Sequence, residues 1–242
     1  MSVVQLAPRP SMIDGPLSTY WWDAETGCSV TMATPSAEVG LFEQYYEGAV
    51  ASYTRFGVRN ALDESAALCA ADTVLFWAIT DRSGRVVGGV RAKGPLGSPD
   101  DSRAVIEWGD QPGIGQVRKM IADRVPFGVL EMKGAWLDDE PDAKQRPTKI
   151  IPRSGFHGMQ LLGAKFLMAT AATHVLERWS SSGGLVAPIP GTPYPDERYR
   201  TKMMWWDRSN FTQHGEPNTV AAIVREMAYV HRRIQSWDPL RG

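Results

Sequence analysis

Apolar positions recur at changing intervals along this chain, and each interval predicts a different element. CSVTMAT (28–34) alternates like a short strand. After Pro35-Ser36, the run AEVGLFEQYYEGAVASYTRFG repeats Leu41, Tyr45, Ala49 and Tyr53 at helical spacing. ALDESAALCAA (61–71) predicts a second, short helix. VLFWAIT (74–80) and RVVGGVRA (85–92) are β-rich runs joined by Asp81-Arg82-Ser83-Gly84, which predicts a hairpin. Residues 96–113 read as a polar loop, GQVRKMIADRV (115–125) as a short amphipathic helix closed by Pro126, and GVLEMKGAWLD (128–138) as a buried strand.

The run GMQLLGAKFLMATAATHVLERW (158–179) is apolar on nearly all sides and predicts a buried helix ended by SSSGG. LVAPI (185–189) predicts a short strand, PGTPYPDER a Pro-rich turn, and YRTKMMWW (199–206) another strand. The tail predicts a helix over 218–236, with Pro217 at its first turn. Its apolar stripe is Val220, Ile223, Val224, Met227, Val230 and Ile234. Residues 1–26, rich in Pro, Ser and Asp around Tyr20-Trp21-Trp22, read as an extended arm that packs by its aromatics. The implied organisation is an arm (1–26), one α/β domain (27–208) and a C-terminal amphipathic helix extension (209–242). Strands interleaved with helices in this order predict a mixed sheet flanked by helices on both faces.

Composition narrows the function classes. The 242 residues suit one domain with extensions, and 43% hydrophobic residues suffice for a substantial core. With Lys+Arg 26 against Asp+Glu 27 and no basic tract, nucleic acid is disfavoured as a partner. No apolar run is long enough to span a bilayer, and Arg9 and prolines interrupt the start where a signal peptide needs continuous apolar sequence. Cys28 and Cys69 have no spacing partner, so a reduced, cytoplasmic setting is expected. The 4 His and 2 Cys show no ligand spacing, so no metal site is expected.

ADTVLFWAITDRSGRVVGGVRAKGPLG (71–97), followed by PFGVLEMKGAWLD (126–138), resembles the Gcn5-related N-acyltransferase (GNAT) fold. Within it, these stretches look most like the branch of acyl-homoserine-lactone synthases and long-chain N-acyl amino acid synthases. That family has an acidic residue before the hairpin, an Arg at the hairpin's end, and a Glu in the next strand. Asp72, Arg91 and Glu131 occupy the matching positions. The element order matches over 28–206, the motifs only over 71–138. Where the family carries an Arg three residues after the Glu, this chain has Gly134, and its first helix lacks the family's Arg-rich motif and following Trp. The resemblance thus implies acyl transfer from an acyl-CoA or acyl carrier protein thioester to a small amine or amino-acid-derived acceptor, not lactone synthesis.

Several residues have two uses open at this point. Arg153-Ser154-Gly155-Phe156-His157-Gly158 stands where the fold holds the donor's pyrophosphate, on unpaired N–H groups at a helix start. Its glycines lie at unusual offsets, so it is either a phosphate cradle or a turn beside the sheet. Glu131, on one strand face with Val129 and Lys133, is a catalytic base or a structural ion-pair member with Lys133 or Arg91. Met132 or Lys133 would offer a backbone N–H to the thioester carbonyl. Tyr199 is a candidate acid for the departing thiolate or an edge-packing residue. Asp72, Arg91, Lys133 and Trp136 are candidates for substrate binding. His157 is read as a surface group and His174 as a core histidine. The nine Trp line an acyl cavity or fill the core. The rivals to fatty-acyl transfer are a plain acetyl-CoA acetyltransferase and a silent fold that binds a ligand or partner. The apolar stripe of the tail helix suggests a homodimer contact.

Overall fold

The computed structural model describes residues 15–138 and 147–235. Within these, nine strands form one sheet: β1 (Ser18–Asp23), β2 (Cys28–Ala33), β3 (Leu75–Thr80), β4 (Val86–Lys93), β5 (Val129–Leu137), β6 (Phe166–Ala172), β7 (Leu185–Val186), β8 (Thr192–Pro193) and β9 (Arg200–Asp207). Their spatial order is β1-β2-β3-β4-β5-β6-β9-β7, with β8 paired to β9. All neighbours are antiparallel except β5 and β6, which are parallel. Seven helices accompany the sheet: α1 (Val39–Arg55), α2 (Ala66–Ala71), α3 (Arg103–Trp108), α4 (Ile114–Ala122), α5 (Ile151–Leu161), α6 (Leu176–Ser180) and α7 (Pro217–Gln235). Among the described residues, no helix is long and apolar enough to cross a membrane.

The hairpin forms where its turn residues predict. Asp81 Oδ1 accepts the backbone N–H groups of Ser83 and Arg85 at 2.9 and 3.0 Å, and Gly84 takes the left-handed conformation that closes the turn. Four expectations change. Ser18–Asp23, assigned to the arm, is a full strand paired along its length with β2. Trp21 is buried while Tyr20 and Trp22 stay exposed. Residues 1–14 of the arm lie outside the described residues, as do 139–146 of the charged loop and 236–242 of the tail.

The run 158–179 is not one helix. It breaks after Leu161, turns at Gly163 with φ +66, and continues as β6 and then α6. β6 lies inside the sheet and is covered on both faces, with Leu167 and Ala169 in one core cluster and Met168 in another. A strand buried on both sides loses its alternation and reads like a buried helix. Residues 96–113, read as a loop, contain α3, capped by the Ser102 hydroxyl, which accepts the Ala104 N–H at 3.1 Å. Finally, the α7 stripe packs inward: Ile223 and Val230 are buried in the main core, with Val220, Met227 and Ile234 against it. Five of the six stripe positions are thus covered by the chain itself, and Val224 alone among them is exposed.

Candidate active site

The site begins with a divergence of strands. β5 and β6 are in register only from Val129↔Phe166 to Met132↔Ala169. Beyond that point β5 continues to Leu137 alongside β4, and β6 continues to Ala172 alongside β9. A bulge helps part them: Arg91 pairs with Lys133 but Gly89 with Trp136, so Gly134 and Ala135 oppose a single β4 residue. Gly134 has φ +60, and its carbonyl accepts the Tyr45 hydroxyl at 2.9 Å. The Ala135 carbonyl accepts the Tyr53 hydroxyl at 3.2 Å, so α1 fixes the bulge. The result is a V-shaped cleft with Lys133 and Thr170 just past its apex, where Lys133 Nζ donates to Thr170 Oγ1 at 3.1 Å.

A block of charge lies against this apex. Arg91 pairs across strands with Lys133, and Lys93 with Glu131. Residues two apart share a strand face, so all four project to the same side. Each has partners. Arg91 meets Asp63 at 2.6 Å and Asp72 at 3.8 Å, and Lys93 meets Asp72 at 2.7 Å. Glu131 is 0% exposed and accepts three hydrogen bonds from the start of α3: Ser102 Oγ at 3.2 Å, Arg103 N at 3.0 Å and Ala104 N at 3.2 Å. Lys133 Nζ is ion-paired with Glu107 Oε1 of α3. The second oxygen, Glu107 Oε2, is buried and accepts no hydrogen bond among the described residues.

The electrostatics follow from burial and these neighbours. Burial pushes the Glu131 carboxyl above the ordinary glutamate range, with Lys133 pulling it down and Glu107 pushing it further up. For Lys133, burial disfavours the ammonium, but Glu107 and Glu131 outweigh it and hold the group above the usual lysine value. Tyr194, in the turn between β8 and β9, is pushed up by burial and then by Glu107, against Lys133 and Arg103. Its hydroxyl is therefore protonated at neutral pH, hydrogen-bonded with Arg103 and within electrostatic reach of Glu107 and Lys133.

The structure thus gathers Asp72, Arg91, Glu131 and Lys133 into one network and separates the other candidates from it. Arg153, Ser154, Gly155, Phe156, His157 and Gly158 form no loop: all are buried inside α5. A Cβ on Gly155 would lie 2.4 Å from Leu167 Cδ2, and one on Gly158 would lie 3.2 Å from Leu130 Cδ1, so the glycines let α5 approach the sheet. Arg153 is ion-paired with Asp23 and with Glu226 at 3.2 Å, and Ser154 Oγ donates to the Ile150 carbonyl at 3.1 Å. Phe156 packs on Phe211, ring centroids 4.4 Å apart. His157 is not a surface group but is buried edge-on to Trp21, 3.4 Å from Glu226. These are helix-packing roles, and side chains so placed leave no cradle for a diphosphate.

Tyr199 lies on the outside, its hydroxyl donating to the Phe56 carbonyl at 3.4 Å. Trp136 is buried under α1, where a Cβ on Gly48 would lie 2.1 Å from its ring. His174 is exposed in the turn after β6, not a core histidine. Sequence reasoning missed Glu107, Tyr194, Asp63, Arg103 and Thr170. Glu107 had a signal: Ser102 at an N-cap, followed by Ala104 and Trp108 one turn apart. Tyr194 had none, since only the fold brings the Pro-rich turn to the cleft.

No protein-family model matches the chain. Uncharacterized proteins of Mycobacterium bovis and Mycobacterium tuberculosis are 41% identical to it over 238 residues, covering 98% of this chain and 90% of theirs. Among solved structures, FeeM, an N-acyl amino acid synthase from uncultured soil microbes, superposes with a TM-score of 0.55 at 10% identity, covering 83% of this chain and 95% of FeeM. The acyl-homoserine lactone synthase LasI gives 0.51 at 11% identity, covering 76% of this chain and 91% of LasI. At these identities the likeness is one of fold. The chain belongs to the family of the mycobacterial proteins, and its fold is the GNAT fold in the form seen in N-acyl amino acid and acyl-homoserine lactone synthases.

Proposed function

We propose that the β5–β6 cleft is the reaction centre of an N-acyltransferase that moves an acyl group from a thioester to a small amine. The observation that carries this is the cleft apex itself: a strand divergence flanked by Lys133, an unpartnered Glu107 oxygen and a protonated Tyr194. The amine nitrogen attacks the thioester carbonyl carbon, the C–N bond forms, and the C–S bond breaks. Glu107 Oε2 is placed to receive the amine's proton, and the Tyr194 hydroxyl to protonate the departing thiolate. Glu131 is the residue that positions them, because its carboxylate is occupied by the start of α3.

A fatty or other apolar acyl group is favoured by the aromatic surroundings, with Tyr53, Trp108 and Trp136 on the elements flanking the cluster. The donor is an acyl-CoA or an acyl carrier protein thioester. The burial of Arg153–Gly158 favours a donor whose phosphates are held by other groups or that needs no diphosphate cradle. The same burial is what a second reading rests on, in which the fold binds a ligand without turnover.

Thiol release, followed with acyl-CoA and acyl carrier protein thioesters of increasing chain length and a panel of primary amines, tests the proposal. Turnover that Glu107→Gln lowers by about a hundredfold supports it. Absence of turnover with every donor sinks it in favour of the second reading.

A further inference from the structure

A cavity of about 620 Å³ lies between the end of β1, the turn that follows it, α5 and α7. It is remote from the cleft: α5 and α7 cover the sheet face that carries Leu130 and Met132, opposite to Glu131 and Lys133. Its size falls within the roughly 300–1,000 Å³ of small-molecule sites.

The walls are aromatic and small. Trp21 stands on one side, Tyr229 and Ala228 of α7 on the other, and Trp22, whose ring carries the Arg82 guanidinium, is at the rim. The charges lining it divide into two groups. Asp23, Glu226 and, at 3.4 Å, Glu25 are all engaged by Arg153, and Glu25 also by Lys149 at 2.5 Å. Arg225 and Arg232, seven residues apart on one face of α7, have no ion-pair partner among the described residues. Arg153, 2% exposed at the cavity's floor, keeps an Nε–H with no hydrogen-bond partner among the described residues. A buried, unused donor is costly unless something accepts from it. The unused donors here are thus the Arg153 Nε–H and the Trp21 indole N–H, with the exposed Arg225 and Arg232 guanidinium groups at the side of α7.

Strand addition along β1 fits less well than a small molecule. The Tyr229 hydroxyl donates to the Tyr20 carbonyl at 3.3 Å, occupying the outer edge of β1 midway along it. An incoming strand needs that edge continuous.

We propose that this cavity is a binding site for a small apolar anion, an aryl or alkyl carboxylate whose body lies between Trp21 and Tyr229 and whose charge faces Arg225 and Arg232. The site does not depend on acyl transfer in the cleft. Calorimetric titration of the full chain with naphthoate tests it, with naphthylmethylamine as a cation of the same shape. Naphthoate is expected to saturate one site per chain and the amine to show no binding. Arg225→Ala/Arg232→Ala alters only exposed positions of α7 and is expected to weaken naphthoate at least about tenfold. Ala228→Trp, also at an exposed position, fills the cavity and is expected to abolish binding. Naphthoate that fails to bind, or binds the double variant and Ala228→Trp as tightly as the wild type, overturns the proposal. So does an extended acidic hexapeptide that binds here where naphthoate does not.

Discussion

The carboxylate of Glu131, in the middle of β5, accepts the backbone N–H of Ala104, 3.2 Å away at the start of α3. With the Arg103 N–H and the Ser102 hydroxyl on the same carboxylate, one side chain fastens α3 to the sheet. One turn further on, that helix holds Glu107 against Lys133. Glu131→Ala would strand these donors in a dry interior, and a loss of about 2–4 kcal/mol in folding stability is expected. Glu131→Gln keeps an acceptor oxygen and should lose less. Urea unfolding of the two variants checks this; equal midpoints for Glu131→Ala and wild type would remove the fastening role.

Tyr194 and Tyr199 give opposite expectations for proton donation. The phenol of Tyr194 is held protonated by burial and Glu107 beside the cleft, whereas Tyr199 reaches outward to the Phe56 carbonyl. If thiolate departure is assisted by a phenol, Tyr194→Phe lowers kcat by about a hundredfold with little change in KM, while Tyr199→Phe leaves both unchanged. Thiol-release kinetics on the two variants decide between them, and a defect confined to Tyr199→Phe would reverse the assignment.

Legibility in the sequence followed how each element is buried. The hairpin and β5 carry turn chemistry or β-rich runs and were readable; Asp72, Arg91 and Glu131, singled out by the resemblance, lie in one charged cluster on neighbouring strands and the turn before them. β6 was not readable, because a strand covered on both faces has no polar side to mark its period. The stretch Arg153–Gly158 misled for a related reason: glycines that admit a helix to a sheet and glycines that admit a phosphate to a loop are the same residues in a sequence. Glu107 and Tyr194 were missed because their partners lie in distant segments, Lys133 on β5 and Arg103 on α3.

Arg153 separates the two uses of that stretch experimentally. It is buried between Asp23 and Glu226, so Arg153→Ala leaves two carboxylates uncompensated and should cost about 3–5 kcal/mol. Arg153→Lys, which keeps the charge, should lose less. A donor-phosphate role would instead leave stability intact and weaken binding of CoA itself, measurable by calorimetry.

Gly48 is the point where α1 meets β5. A methyl group there would lie 2.1 Å from the Trp136 ring, which is itself buried. Glycine to alanine inside a helix ordinarily gains about 1 kcal/mol of propensity. Here a rigid indole would have to move within a packed core, at about 1–3 kcal/mol. Gly48→Ala should therefore show no gain and a net loss in thermal unfolding, whereas Gly40→Ala, with open space around its Cβ, should gain. Equal gains at both positions would refute the contact.

Alkaline pH tests the polar interior as a whole. Burial raises the phenols of Tyr45, Tyr53 and Tyr194 above their ordinary value of 10.0. It pushes the Cys69 thiol from 9.0 to about 11. Lys133 is held above 10.5 by Glu107 and Glu131 despite its burial. All of these groups keep their protons more firmly folded than unfolded. Their contribution to stability is complete below the unfolded values and is lost as pH rises through the folded ones, because the folded state then binds more protons. Urea midpoints should hold to about pH 8 and then fall steadily through the window from 9.0 to about 11, starting with the thiol. Cys69→Ala removes one of the two buried thiols, Cys28 being raised by burial as well, so its midpoint should decline less steeply over that window than the wild type's. A wild-type midpoint that stays level there would mean that water reaches these groups in the folded chain, and the buried network around Lys133 would have to be redrawn.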